Sequence, residues 1–407
     1  MLAHAGGRVA VPSLRSIHVA SWIDAVGKPT AATFVILFSL TGFTRALLIT
    51  IIPLNAHAWL GNAQEVSVLF FAVSLVGMVA SLGVPWLVHK ILRRNVFALG
   101  IALTLLSCGL MAMGGGIGIV TGMLANVMAI TALEIALNLY IMDHIPRREL
   151  ASFEPLRVFF AAGMWTLGPW LGVWLHVHVD PTTPFIVAAG LALMTMLYFQ
   201  YLRLTDHPAV AAAKKPPPNP LNYLPRFFHQ PRLRLAWGLA VGRSAWWSMY
   251  FVYAPIYVVN SGLGEIWAGA IVSLGTATFF MVPLWIRIGR RYGMRAMLVG
   301  GYLATGGFTV AVAMMDGQMG VVALLMGAFA AGVIDAAGNV PYLRAVHPHE
   351  RPEMTTVYNT FRGVSQTAPP GVFAILLKSF ELPAVFLVGG VAMAGLAWFC
   401  KYLPRRL

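Results

Sequence analysis

The sequence predicts an all-α polytopic membrane protein, with twelve transmembrane helices in two pseudo-symmetric six-helix bundles. Three observations carry that expectation. Of the 407 residues, 58% are hydrophobic and only 10% charged, against roughly 25% charged in soluble domains, and the mean hydropathy is +0.75. Apolar runs such as residues 66–88 exceed the roughly 20 residues that a helix needs to cross hydrocarbon. Lys and Arg then fall in alternate loops, the pattern that orients a multispanning chain.

Residues 1–30 make a leader that lacks the compact apolar core of a cleaved signal. Leu14, Ile17, Trp22 and Val26 would line one side of an interfacial helix, and a disordered leader fits equally well. Six apolar segments follow at about 31–53, 66–88, 96–114, 117–142, 155–178 and 183–203. Six more lie at about 233–259, 265–288, 294–314, 318–343, 356–378 and 382–402. Hydrocarbon offers no water to unpaired backbone, so each should be a helix. The first bundle is therefore bounded at 31–203 and the second at 233–402, with a tail at 403–407. Between them, residues 204–232 are rich in Pro and basic residues and form a linker.

The loops after spans two, four, eight and ten read "HKILRRN", "PRRE", "RIGRRYGMR" and "HPHER". With the leader, linker and tail they hold nearly all the loop positives, and Lys378 is the one exception on the opposite side. Both termini are expected on the cytoplasmic side, in a bacterial inner membrane. The net charge of +14 is then a topology signal with some attraction to anionic lipid, and nucleic acid is not an expected partner. Cys108 and Cys400 both lie in apolar runs, so no disulfide is expected.

Charges inside the spans are the unusual feature. "LEIALNLY" around Glu134 echoes "IDAAGNVPY" around Asp335 at an offset of about 201 residues. Each acid precedes an asparagine by four residues, Asn138 and Asn339, which puts acid and amide on one helical face. Spans one and seven each carry one arginine, Arg45 and Arg243, and the echo continues in Arg157 and Arg362. Intramembrane charges face a bundle interior or a wet cavity and mark transport pathways. A pairing of Glu134 and Asp335 with Arg45 and Arg243 that merely locks helices is the competing expectation. Four arginines against two carboxylates leave the set positive, and an arginine fork suits carboxylate or phosphate. Trp246, Trp247, Tyr250, Phe251 and Tyr253 follow Arg243 closely, so Trp246 and Tyr250 are candidates to line a substrate cavity beside it.

The architecture resembles the major facilitator superfamily: six plus six helices, a long central linker, and basic loops after spans two and eight. The family signature G-x-x-x-D-R-x-G-R-R resembles "PWLVHKILRR", with His89 at the Asp position, Lys90 for Arg, Leu92 for Gly, and Arg93 and Arg94 matching. After span eight, "IRIGRRYGMR" keeps Arg291, Gly293 and Arg295 but has Arg290 at the Asp position. "GMWTLGPWLG", with Gly168 and Pro169, resembles the helix-five signature of the family's proton-driven exporters, and "APPG" stands in span eleven. Small residues at these positions also serve close helix packing.

The resemblance implies a secondary transporter working by alternating access. The charge set specifies the expectation further: a small organic or amphipathic anion, with Glu134 and Asp335 handling protons. Arg45, Asn138, Arg157, Arg243, Trp246, Tyr250, Asn339 and Arg362 would bind substrate, and His89, Arg93, Arg94, Gly168, Pro169, Arg291 and Gly293 would gate. Alternatives of the same fold are a proton-driven multidrug exporter and a lipid or lysolipid flippase. His176, His178 and Asp180 end span five, where alternating His would ligate a metal only if this end were extended or a third ligand came from elsewhere, so no metal site is expected. The sequence has neither a phosphate-cradling glycine loop nor a nucleophile elbow, so neither an enzyme nor a cofactor is expected. The expected partners are substrate, protons and membrane lipid, and the protein is expected to be a monomer.

Overall fold

The structure, a computed structural model, describes residues 31–145, 150–202, 220–347 and 350–403. The leader and most of the linker lie outside them. Within them the chain is helical throughout, as a backbone in lipid must be. Span one is formed by Ala31–Leu48 and Ile51–Leu60; Ala63–Ile91, Arg93–Met113, Gly115–His144, Leu150–His178 and Thr183–Tyr201 complete the first bundle. The second opens with a short helix, Pro220–His229, inside the region read as linker, and continues with Pro231–Asn260. Span eight is Glu265–Ala277, a 3-10 turn at Thr278–Met281, and Val282–Tyr292. Met294–Met314 follows; span ten is Gly317–Ala337 with Val340–Ala345, span eleven Arg351–Tyr358 with Phe361–Leu376, and span twelve Pro383–Phe399.

Ten of the described helical stretches are long and apolar enough to cross a membrane unaided. The two spans that fall short are seven and eleven. Span seven is buried at nearly every position from Trp246 to Val258, so its arginine and its tryptophan and tyrosine polar atoms need not face lipid. Span eleven is divided at Asn359–Thr360 and carries Pro369 and Pro370.

One expectation about helical faces is corrected. Span four runs unbroken through Glu134 and Asn138. In span ten the helix stops at Ala337, Gly338 takes φ +50°, and Asn339 starts a new short helix. A spacing of four therefore puts acid and amide on one face in the first half only.

Close packing explains the glycines of span five. A Cβ at Gly168 would lie 2.6 Å from Ala46 Cβ, and one at Gly172 would lie 2.0 Å from the Leu47 carbonyl oxygen. These glycines let spans one and five touch backbone to backbone.

The two bundles meet along spans five with eight and two with eleven. From the end bearing neutral loops, His176 faces Glu265, Val173 packs against Gly269, and the Trp170 amide donates to Ser273 Oγ at 2.9 Å. Thr276 Oγ1 then lies 2.7 Å from the Trp165 carbonyl, and Phe159 meets Phe280 edge-on. The second seam brings Phe71 against Gly371 and Met78 against Gly363. Tyr253 donates to Ser67 Oγ across the halves at 2.8 Å. The contacts of His176, Val173 and Trp170 lie toward the neutral loops and that of Phe159 toward the basic loops, where span five begins at Leu150. Glu134, Arg45 and Arg362 are partly exposed between the bundles.

Candidate functional site

Glu134 sits between the bundles and answers to two arginines. Its Oε1 accepts from Arg362 Nη1 at 3.0 Å, a bond from the second half to the first. Its Oε2 lies 3.9 Å from Arg45 Nη1 in its own half. The three side chains are 42%, 58% and 33% exposed for Glu134, Arg362 and Arg45, so the cluster borders open space. Asn138 is half-buried one turn along from the acid.

The second-half echo is closed by comparison. Asp335 Oδ1 lies 3.4 Å from Arg243 Nε, and the pair is only 20% and 12% exposed. Arg243 Nη1 also donates to the Gly338 carbonyl at 2.8 Å, which the helix break frees for it. Trp247 Nε1 donates to Asp335 Oδ2 at 2.5 Å. Asn339 Oδ1 accepts from Tyr358 at 3.1 Å, and Tyr358 stacks on Tyr342.

An aromatic row connects the two clusters. Arg45 Cζ lies 5.5 Å from the Trp165 ring centre, within cation–π reach. Trp165 meets Phe251 of the other half at 5.3 Å, and Phe251 stacks on Trp247 at 5.6 Å. Trp247 then ends on Asp335. Trp165 was legible only as part of a packing motif, and its place beside Arg45 depends on how spans one and five cross.

The remaining candidates are dispersed. Trp246 and Tyr250 are stacked in the core of the second bundle, with Trp246 Nε1 on Thr309 and the Tyr250 hydroxyl on the Ile271 carbonyl. Both polar atoms are satisfied and both residues are buried. Arg157 lies over the Phe38 ring at 4.7 Å. Pro169 is buried, and its carbonyl borders Gly269 of span eight.

In the basic loops, Arg93 and Arg94 open span three, Arg291 stands over Tyr292, and Gly293 takes φ +91°. The side chain of His89 lies outside the described residues. Leu92, at the position where the signature has Gly, adopts φ +67° and ψ 151°, a region nearly reserved for glycine. The turn geometry has survived the loss of its glycine.

At the neutral end, Asp180 accepts from the Thr182 hydroxyl at 2.6 Å and its amide at 2.8 Å. Those bonds hold its carboxyl below the usual value. His178 stacks on Trp174, and His176 Nε2 is 3.9 Å from Glu265 across the bundles. Each of the three thus has a partner in the protein.

Among curated proteins no sequence matches the chain. Solved structures share its fold. The nucleoside transporter NupG superposes with a TM-score of 0.71 at 14% identity, covering 91% of this chain and 98% of its own. A peptide transporter POT in complex with sulfate gives 0.72 at 13% identity over 94% and 97%. A POT family transporter in complex with 5-aminolevulinic acid gives 0.73 at 10% identity over 92% and 97%. The family model described as Major Facilitator Superfamily matches residues 34–368, most of the chain. With its two six-helix bundles and that match over most of its length, this chain belongs to the Major Facilitator Superfamily of membrane transporters.

Proposed function

We propose that the protein is a proton-coupled carrier of a small organic or amphipathic anion, with Glu134 as its proton site. One observation carries this: Glu134 is held by Arg45 and Arg362 from opposite halves while remaining open to the cleft. Two guanidiniums against one carboxylate leave a net positive charge there. Protonation of Glu134 removes their anionic partner, and a substrate carboxylate or phosphate takes its place. Arginine supplies this well, because its planar fork pairs such groups bidentately.

Proton and substrate anion then load together, since the ionised acid competes with the substrate for the same two arginines. By linkage, each raises the other's affinity by the same factor. With the basic loops cytoplasmic, the cleft opens to the cytoplasm and the seam of spans five and eight closes the far side. The sulfate and 5-aminolevulinic acid in the peptide-transporter relatives belong to those proteins. They favour testing acidic solutes first.

The test begins with a thermal-shift screen of organic acids, sugar phosphates and lysolipids. Flux of the hits is then measured in proteoliposomes under an imposed pH gradient. The wild type is expected to accumulate an anion up the gradient, and Glu134→Gln to equilibrate it without accumulation. Full gradient-driven accumulation by Glu134→Gln would sink the proposal.

A further inference from the structure

The first bundle contains a largely apolar chamber beside Arg45, polar along one part of its wall. Thr41, Thr44, Arg45, Thr104, Asn126 and Thr195 supply its polar wall. Its volume is about 30 Å³, counted as space open to the centres of water molecules, enough for about two waters. The hydroxyl protons of its wall are already committed. Thr41 donates to the Leu37 carbonyl at 3.0 Å, Thr44 to Leu40 at 3.0 Å, Thr104 to Gly100 at 2.9 Å and Thr195 to Leu191 at 2.7 Å. A hydroxyl has one proton and two lone pairs, so what these oxygens still offer is acceptance.

A guanidinium is their complement, with five donors and no acceptor. Arg45 stands at the chamber wall. Its Nε is buried and has no hydrogen-bond partner among the described residues. Its Nη1 reaches the other way, to Glu134 at 3.9 Å, which is too long for a hydrogen bond. An unmet buried donor thus borders a surplus of acceptors. The equivalent arginine lacks this choice: Arg243 has Nε on Asp335 and Nη1 on Gly338, and the cavity beside it has about 10 Å³.

We infer that the chamber is a socket for the Arg45 guanidinium, which has two seats. One is outward, on Glu134 or a substrate anion; the other is inward, on the threonine oxygens and Asn126. The socket's part in coupling rests on the reading of Glu134 as the proton site. When Glu134 is neutral and the cleft holds no substrate, the attraction drawing Arg45 outward is gone, and the socket takes the charge. Thr41, Thr44, Thr104, Asn126 and Thr195 are positioning residues for Arg45, and they set how readily a substrate anion draws it out.

A double-mutant cycle on the purified full-length protein tests this by melting temperature, with Glu134→Gln standing for the protonated acid. Thr104→Val combined with Asn126→Leu removes acceptors with little change of volume. The pair should lower Tm by about 2 °C more in the Glu134→Gln background than in the wild type, as coupled neighbours do. Thr104→Ser, which keeps the oxygen, should show no such coupling. If the double variant does not fold, Thr195→Val replaces it in the same cycle. Equal losses in the two backgrounds would overturn the socket. The cycle uses no flux, so loss of proton coupling in liposomes and additivity in the cycle are separate failures.

Discussion

The two halves repeat one design, an arginine on the first span and a carboxylate on the fourth, and they use it differently. Asp335 is nearly closed off, held by Arg243 and by the Trp247 indole, while Arg243 is also tied to a carbonyl exposed by the Gly338 break. Glu134 is open and shared, at 3.0 Å from an arginine of the other half and 3.9 Å from its own. A pair that is fully bonded within one half gains nothing when the halves rock. A carboxylate shared across the cleft must break a bond each time they do. The echo in sequence therefore does not carry equal accessibility: the second-half pair has the geometry of a brace, and the open first-half acid is the one we propose for coupling.

The largest test of that division is in transport. Glu134→Gln should abolish gradient-driven accumulation, whereas Asp335→Asn, once folded, should keep its pH response. Equal loss in both would erase the distinction. Next comes stability. Arg243→Met leaves a buried carboxylate without its cation and should cost about 3 kcal/mol in denaturation measurements. Gly293→Leu forces φ +91° on a side chain and should cost about 1–3 kcal/mol. Its counterpart, Leu92→Gly, should relieve strain already present and stabilise the protein by about 1 kcal/mol. The smallest effect is expected for Arg45→Met, under about 1 kcal/mol, because its pair is long and partly exposed. A cost for Arg45→Met matching that for Arg243→Met would show that both pairs are braces.

Much of the fold was legible because lipid leaves the backbone few options. Hydropathy located the spans, and Arg45, Glu134, Arg243 and Asp335 stood out because charge in hydrocarbon is costly. Partnership was harder to read. Arg362 was recognised only as the echo of Arg157, yet it holds Glu134 while Arg157 lies on Phe38. Sequence offset cannot report which side chain crosses a cleft. Trp246 and Tyr250 follow Arg243 on the same helix, but the helix turns them into the bundle and leaves Trp247 to meet Asp335. Asn339 shared its spacing with Asn138 until Gly338 took a positive φ and ended the helix. A glycine followed three positions later by a proline, Gly338 and Pro341, was the available signal for that break.

The seam of spans five and eight has an electrical consequence. Its contacts run from Phe159 with Phe280 to His176 with Glu265, a helical rise of about 25 Å at 1.5 Å per residue. In the proposed cycle a wet cleft would drop little potential, and most of the membrane voltage would fall across this packed layer. Glu134, partly exposed between the bundles, would then share the potential of the compartment the cleft faces. Opening the seam and closing the other end would carry the same carboxylate to the opposite potential, with about 2.3 kcal/mol per unit charge for each 100 mV. A proton on Glu134 would change the charge that makes that journey, so the proposed cycle predicts that membrane voltage alters transport.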